Sequence, residues 1–238
     1  MNVDWASYWP EIWRAALVTL EFTGLGFGGA VLLGLVLALM RMSKRRSLRL
    51  PASCYIELFK NTPLLTLIFI MYFGLASVGL ILSPFVAGSI TLMLFYGAYL
   101  SEIFRGGIQG VTAGQREAAM AIGLSPAKSY RSVILPQAGR LALPATGNML
   151  VDMLKSTSLM ATIAGAELMT VARNVTSETF QALEVYIVIG LVYFALAYPL
   201  SRLVARYERQ LEAGRQFSWR SRRTERHVRE LLDVGAAT

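Results

Sequence analysis

The sequence predicts an all-α integral membrane protein with about five transmembrane helices, the N-terminus outside and the C-terminus in the cytoplasm. Of its 238 residues, 55% are hydrophobic and only 16% are charged, whereas soluble domains average about 25% charged residues. The hydrophobic residues form long runs, and a membrane helix needs about 20 mostly apolar residues. A large water-soluble helical protein is not expected, because such runs leave too little polar surface to face water.

Five segments satisfy this length requirement: residues 12–40, 55–77, 84–108, 141–164 and 180–205. No charged residue lies between Lys60 and Glu102, which fits two helices joined by a turn near Ser83 and Pro84. The predicted organisation is an outer N-terminal segment (1–11), a transmembrane domain (12–206) and a basic cytoplasmic tail (207–238).

The distribution of basic residues predicts the orientation. Five Lys or Arg residues lie in the range 41–49, five in 105–140 and nine from position 202 onward. Because Lys and Arg favour the cytoplasmic side of a membrane, these three segments are placed inside. The net charge of +8 is thus explained by topology and by anionic lipid headgroups, and no nucleic-acid partner is expected.

The sequence offers no catalytic or metal-binding constellation. Cys54 is the only cysteine and His227 the only histidine, so no Cys/His metal cluster is expected. The string from Gly123 to Lys128-Ser129 lacks the glycine that precedes lysine in a nucleotide-binding loop. We therefore expect a protein that is not an enzyme, does not hydrolyse ATP itself, and needs neither a metal nor a cofactor.

Polar residues at the ends of the second and third spans leave alternatives open. Pro63 either begins a helix at the inner membrane face or breaks a helix that lines a pathway. Tyr99, Glu102 and Arg105 share one helix face at a spacing of three residues. The Glu102–Arg105 pair is either an interfacial salt bridge or the mouth of a polar path.

The fourth span is the most polar. Its residues Asn148, Asp152, Lys155 and Thr162 recur at helical spacing, and Ser158 lies beside them. Ionisable groups in a membrane helix face the bundle interior or a water-filled cavity, and they indicate function by default. An Asp152–Lys155 ion pair that only fixes packing is the alternative. The neighbouring hydroxyls, which can hydrogen-bond a polar solute, favour a functional role.

The polar segment between the third and fourth spans predicts two short helices. Residues 115–122 form the first, and Gly123 suits the cap or tight turn that ends it. Ser125 and Pro126 are typical of a helix start, and Pro136 is expected to end the second helix.

Small side chains on the first of these helices predict close contact with another protein. Ala118 and Ala119 follow Glu117, and alanine permits deep insertion into a groove on a partner. The charge of Glu117 would fix the orientation of the contact.

This segment resembles the coupling motif of permease subunits of bacterial ABC importers. The resemblance is carried by Glu117-Ala118-Ala119, by Gly123 and by Val133-Ile134-Leu135-Pro136. The strings ELFKNTPLL (57–65), GAYLSEIFRGGI (97–108) and KSTSL (155–159) resemble the polar amino acid uptake group within these permeases. The match covers residues 15–205 and departs at Ser156, where the group often has aspartate.

The resemblance implies a type I ABC importer transmembrane fold in the bacterial inner (cytoplasmic) membrane. It implies a coupling loop at about 110–139, in which Glu117, Ala118, Ala119 and Gly123 contact the ATPase. The implied partners are two copies of an ABC ATPase subunit, a second identical or similar permease chain, an extracytoplasmic amino-acid-binding protein and membrane lipids.

For the substrate pathway the expected residues are Glu102, Arg105, Asn148, Asp152, Lys155 and Ser158. Two rivals are an ABC permease for another small solute, such as an opine or cystine, and a stand-alone secondary carrier. Five spans without an internal repeat count against the carrier.

Overall fold

The computed structural model describes residues 3–235, with side chains as far as Leu211, and its regular structure over that range is helical throughout. The α-helices in chain order are α1 Trp5–Met42, α2 Arg46–Lys60, α3 Leu64–Phe69, α4 Leu75–Ser77, α5 Pro84–Gln109, α6 Ala113–Ala121, α7 Pro126–Ser129, α8 Leu135–Ser156, α9 Leu168–Thr179 and α10 Ala182–Gly235. Two π-helical turns, Ile70–Gly74 and Tyr130–Ile134, and a 3-10 helix, Thr157–Ile163, connect some of them.

Helices α1 and α5 form the central pair. A glycine permits their close approach, since a Cβ atom at Gly34 would lie 2.9 Å from the Cβ of Leu100. The main core lies where α3 and α8 join this pair, and it includes Phe22, Ile68, Leu92 and Met153, each fully buried. Hydrophobic side chains from four helices that are distant in sequence thus pack into one core.

Three helices in the described part of the chain are long and apolar enough to cross a membrane. They are α1, α5 and the Ala182–Leu211 part of α10, and the number is four if the bent pair Arg46–Lys60 and Leu64–Ser77 counts as a single span. The span predicted at 84–108 is confirmed within one residue, whereas α1 begins at Trp5, earlier than predicted. Helix α8 is too polar to meet the same criterion, so a fifth span stays a prediction.

The segment predicted as a span at 55–77 is divided into two helices that meet at a sharp bend. The chain bends by 106° between Lys60 and Leu64. Asn61 ends α2 by donating its side-chain amide to the carbonyl of Glu57 at 2.7 Å, and Pro63 then precedes α3 in an extended conformation. Pro63 thus stands at a break in the chain and at the start of α3, and its position relative to the membrane face or a pathway stays a prediction.

The prediction that Pro136 ends a helix is wrong. Helix α7, the π-helical turn Tyr130–Ile134 and α8 follow one another with helical backbone angles at both junctions. Pro136 lies in the first turn of α8, directly after a turn with wider hydrogen-bond spacing, where its missing N–H does not break the helix. The segment Pro126–Ser156 is therefore one continuous helix.

The polar stripe of the fourth span is shorter than predicted. Helix α8 ends at Ser156 and the chain continues as a 3-10 helix, in which the angular spacing of residues changes. Thr162 therefore does not continue the face of Asp152 and Lys155. Its hydroxyl instead donates to the carbonyl of Leu159 at 2.7 Å.

Candidate functional site

The coupling loop is built around a tight turn at the end of α6. The N–H of Gly123 donates to the carbonyl of Met120 at 2.9 Å, and the N–H of Leu124 donates to that of Ala119 at 3.1 Å. This pair of bonds is a Schellman cap, which requires a residue with positive φ, and Gly123 has a φ of 79°. The predicted helix, glycine turn and Ser125-Pro126 start of the next helix are confirmed.

Two side-chain contacts hold α6 against the long helix. The guanidinium of Arg116 lies 5.8 Å from the ring centroid of Tyr130, a cation–π distance. The side-chain amide of Gln137 donates to that of Gln115 at 3.2 Å. Helix α6 thereby contacts the continuous helix Pro126–Ser156 directly.

The two alanines of the loop face in different directions. Ala118 is exposed beside the exposed Glu117, as a contact with another protein requires. Ala119 is 3% exposed and packs within this chain, so it is not on the surface where the sequence placed it. The chain turns at Gly123, and the elements that follow, α7 and the π-helical turn Tyr130–Ile134, contact α6.

Two apolar residues near the glycine turn were missed by sequence reasoning. Met120 is 51% exposed and Ile122 is 77% exposed. Neighbouring large apolar side chains exposed on a loop favour a protein contact. The signal was present in the sequence as apolar residues in a polar segment, but it was interpreted only as helix formation.

The structure brings Asp152 and Lys155 together on one face of α8. The Nζ atom of Lys155 lies 3.9 Å from Oδ1 of Asp152, and the side chains of Lys155 and Asp152 are 58% and 52% exposed, respectively. Asn148 is exposed one turn earlier, while the hydroxyl of Ser158, beyond α8, donates to the carbonyl of Lys155 at 2.8 Å. These charges were expected to face the bundle interior or a water-filled cavity, and in the single chain they lie on an open face.

Tyr96 of α5 connects this face to the core. Its hydroxyl donates to Oδ2 of Asp152 at 2.8 Å and lies 2.8 Å from Oγ of Ser156. Tyr96 is only 1% exposed. Sequence reasoning missed it because an aromatic residue in an apolar span gives no sign of its distant partner.

Glu102 and Arg105 belong to an ion cluster that joins three helices. Glu102 lies 2.8 Å from Nη1 of Arg41 and 2.6 Å from Nη2 of Arg105, and Arg41 also lies 3.4 Å from Glu57 of α2. Glu102 and Arg105 therefore form the expected salt bridge, and their position at the mouth of a polar path stays a prediction. Tyr99 points elsewhere, since its hydroxyl donates to the carbonyl of Lys60 at 3.2 Å.

Glu167, which the sequence did not single out, is a fully buried carboxylate at the start of α9. It accepts the N–H groups of Met169 and Thr170 at 2.9 and 3.0 Å and the hydroxyl of Tyr193 on α10. Burial raises the pKa of the Glu167 carboxyl above its ordinary value, and these hydrogen bonds oppose the rise. The residue fixes the joint between α9 and α10.

Comparison with known proteins agrees with this arrangement. A family model described as "Binding-protein-dependent transport system inner membrane component" matches residues 30–213. A probable glutamine ABC transporter permease of Bacillus subtilis (strain 168) is 37% identical over 82% of this chain and 90% of that protein. A nopaline transport system permease of Agrobacterium fabrum (strain C58 / ATCC 33970) is 41% identical over 79% and 81%, respectively.

Among solved structures, the crystal structure of an amino acid ABC transporter with histidines has a TM-score of 0.82 and 39% sequence identity. The match covers 88% of this chain and 100% of that one. With the family match over most of its length, the chain belongs to the family of inner membrane components of binding-protein-dependent transport systems.

Proposed function

We propose that this chain is the permease subunit of an ATP-driven importer that moves polar amino acids from an extracytoplasmic binding protein into the cytoplasm. The observation that carries the proposal is the continuous helix Pro126–Ser156, which joins the coupling loop to the polar face of Asp152 and Lys155. The similarity to a glutamine permease and to an amino acid transporter of known structure supports the substrate class.

The proposed topology has five spans in the bacterial inner membrane, with the N-terminus outside and the C-terminus in the cytoplasm. Helix α8 supplies the fifth span, because its 22 residues measure about 33 Å at the helical rise of 1.5 Å, enough to cross the hydrocarbon core. The three basic segments then lie on one side, as the distribution of Lys and Arg requires.

A second permease chain, identical or similar, would cover the open face of α8. Charged groups at membrane depth face protein or water and avoid lipid. Asp152 and Lys155 are each more than half exposed in the single chain, so something else must separate them from lipid. Two chains that face each other across these residues would enclose a polar pathway between them.

The coupling loop would receive an ABC ATPase subunit, one for each of the two permease chains. Ala118 and Ile122 offer an exposed apolar surface beside the charge of Glu117, while Ala119 and Gly123 shape the loop from within. ATP binding would close the two ATPases and move α6, and the long helix would carry that motion to its polar face. The ATPase thus shifts the balance between two states of the permease through contacts that differ between them.

The polar face has the chemistry that a zwitterionic solute needs. Asp152 is placed to pair with an ammonium group and Lys155 with a carboxylate, while Asn148 and Ser158 add hydrogen-bonding groups. Glu102 and Arg105 would line the path at its cytoplasmic end as a mutually neutralised pair. Alternating access would expose this pathway first to the binding protein and then to the cytoplasm.

Another small solute of related chemistry is the second candidate. The nopaline permease, at 41% identity, shows that similar sequences serve an opine. The Asp152–Lys155 pair is compatible with any solute that carries an ammonium and a carboxylate group, so transport has to be measured over both classes.

Reconstitution in vesicles tests the proposal. The chain, its ATPase and its binding protein are combined, and ATP hydrolysis and uptake are measured for a panel of amino acids, with nopaline and cystine included. We expect ATP-dependent uptake of one or more polar amino acids. Uptake of nopaline or cystine alone would favour the second candidate, and a chain that recruits no ATPase would refute the importer assignment.

A further inference from the structure

Helix α2 differs from the other long helices of this chain in its direction and its surface. It follows α1 after three residues and lies at 106° to the segment Leu64–Ser77 that comes next. Its buried residues Ala52 and Ile56 pack against Leu37, near the end of α1. Met42, at that same end, packs beside Ile134 of the π-helical turn. With Leu64–Ser77 crossing the membrane, a helix at 106° to it runs close to the membrane plane, and the packing of α1's end puts α2 on the side of the coupling loop.

The surface of α2 is divided into an apolar stripe and a basic end. Leu50, Cys54 and Leu58 recur every four residues on one face; the two leucines are 48% and 62% exposed, and Cys54 is also exposed. The basic end consists of Lys44, Arg45, Arg46 and Arg49, all exposed. In the described part of the chain none of these four forms a salt bridge, whereas Arg41 and Glu57 are paired with each other.

We infer that α2 is an in-plane anchor that binds anionic phospholipids on the side of the coupling loop. The apolar stripe enters the boundary between headgroups and acyl chains, and Arg46 and Arg49 contact the headgroup phosphates. A helix with leucines on one face and basic residues beside them is suited to this position. Charge complementarity selects an anionic lipid, because each basic residue near such a surface contributes about fivefold to association.

The anchor has a mechanical consequence for the bundle. Arg41 connects α2, through Glu57, to Glu102 of α5. The ion cluster would hold α5 at a fixed height relative to the lipid surface. This role needs only a membrane-embedded chain, so it does not depend on which solute the protein carries.

Cys54 allows a direct test, because it is the only cysteine of the chain. The full chain is labelled there with an environment-sensitive fluorophore and reconstituted in vesicles that contain either brominated phosphatidylglycerol or brominated phosphatidylcholine. The expected result is quenching by both lipids, with stronger quenching by the anionic one. The stronger quenching by the anionic lipid should disappear in 1 M salt, where the screening length falls to about 3 Å.

Matched variants separate headgroup binding from general effects of charge. Arg46→Gln with Arg49→Gln should reduce the anionic excess several-fold, while Arg14→Gln, an exposed arginine near the other end of α1, should not. A label at Ala118→Cys in a Cys54→Ser chain, on the coupling loop, should escape quenching.

Three outcomes would overturn the inference. Absence of quenching at Cys54 would mean that protein, such as a second copy of the chain, covers the stripe. Equal quenching by the two lipids would show that α2 does not prefer an anionic headgroup. An equal loss of quenching by both lipids in the double variant would show that the arginines only position the helix.

Discussion

The hydroxyl of Tyr96 donates a hydrogen bond of 2.8 Å to the carboxylate of Asp152. One partner is buried in the core and the other lies on the open polar face. The bond therefore fixes the direction of a charged group from the side that solute and solvent do not reach.

Replacement of this tyrosine isolates the effect of the bond. Tyr96→Phe keeps the ring in the core but removes the donor, which we expect to cost about 1 kcal/mol of stability, because the half-exposed Asp152 regains water. The less ordered carboxylate should also raise the solute concentration for half-maximal uptake. Thermal unfolding and uptake measure the two effects.

Tyr99→Phe is the matched control, since that hydroxyl bonds only to the carbonyl of Lys60. An identical rise in the half-maximal concentration for both variants would contradict a specific role of Tyr96.

Neutralising the polar face should weaken solute binding. Asp152→Asn and Lys155→Gln each remove a charge that would pair with an ion of the zwitterion, and bonds to charged groups contribute roughly 1.5–3 kcal/mol. We expect the half-maximal concentration to rise at least about tenfold. Glu11→Gln and Arg14→Gln, which alter exposed charges on α1, should leave it unchanged. Unaltered affinity and maximal rate in both α8 variants would mean that the pair serves packing alone.

The exposed surface formed by Glu117, Ala118 and Ile122 should tolerate no bulk or charge if the ATPase docks there. Ala118→Arg and Ile122→Asp are expected to abolish ATPase co-purification and uptake while the loop stays folded, since both positions are exposed. Ala127→Arg, on the exposed side of α7, is the control.

Ala119→Arg and Gly123→Pro should also abolish transport, but by unfolding the loop. Ala119 has no room for arginine, and proline cannot adopt a φ of 79°. All four variants should still insert into the membrane. Normal uptake by Ala118→Arg would show that the ATPase does not dock on this surface.

The ion cluster offers two carboxylates that share one arginine. Glu102 is 20% exposed and pairs with both Arg41 and Arg105, whereas Glu57 is 57% exposed at a longer distance. Glu102→Gln leaves two arginines close together without their carboxylate and should cost about 1–3 kcal/mol. Glu57→Gln should cost less than about 1 kcal/mol. Equal melting temperatures of the two variants would show that the cluster contributes little to stability.

Glu167 should make stability depend on pH. Because its pKa is raised in the folded protein by burial, folding favours the protonated carboxyl. The resulting stabilisation is complete below the ordinary pKa of about 4.3 and is lost as pH rises through the folded value. Glu167→Gln should flatten this part of the melting-temperature profile, and Glu11→Gln, at an exposed carboxylate, should not. A wild-type profile that rises over this range would contradict the assignment.

Local signals in the sequence predicted local structure well. Ser83-Pro84 defined the start of α5, and Gly123 with Ser125-Pro126 defined the turn of the coupling loop, since each reflects a backbone preference of the residue itself. Pro63 indicated a helix start or a break, but the 106° bend there could not be predicted, because hydropathy averages over both sides of it. The continuation of the helix through Pro136 was missed because a π-helical turn precedes that proline.

Contacts between distant residues could not be predicted in the same way. Tyr96 and Asp152 are 56 positions apart, and Tyr193 and Glu167 are 26 positions apart. Each pair depends on helix packing that gives no periodic trace in the sequence. The orientation of Ala119 depended similarly on how the chain folds back after Gly123.

The uninterrupted helix from Pro126 to Ser156 also fixes an angle. Successive residues of an α-helix are rotated by about 100°, so the number of residues between the coupling loop and Asp152 sets the direction in which that carboxylate points relative to the loop. One residue inserted between Gly139 and Gly147 would rotate the charged face by about 100° relative to the loop. If the loop docks on an ATPase as proposed, the length of this stretch matters as much as the residues at either end.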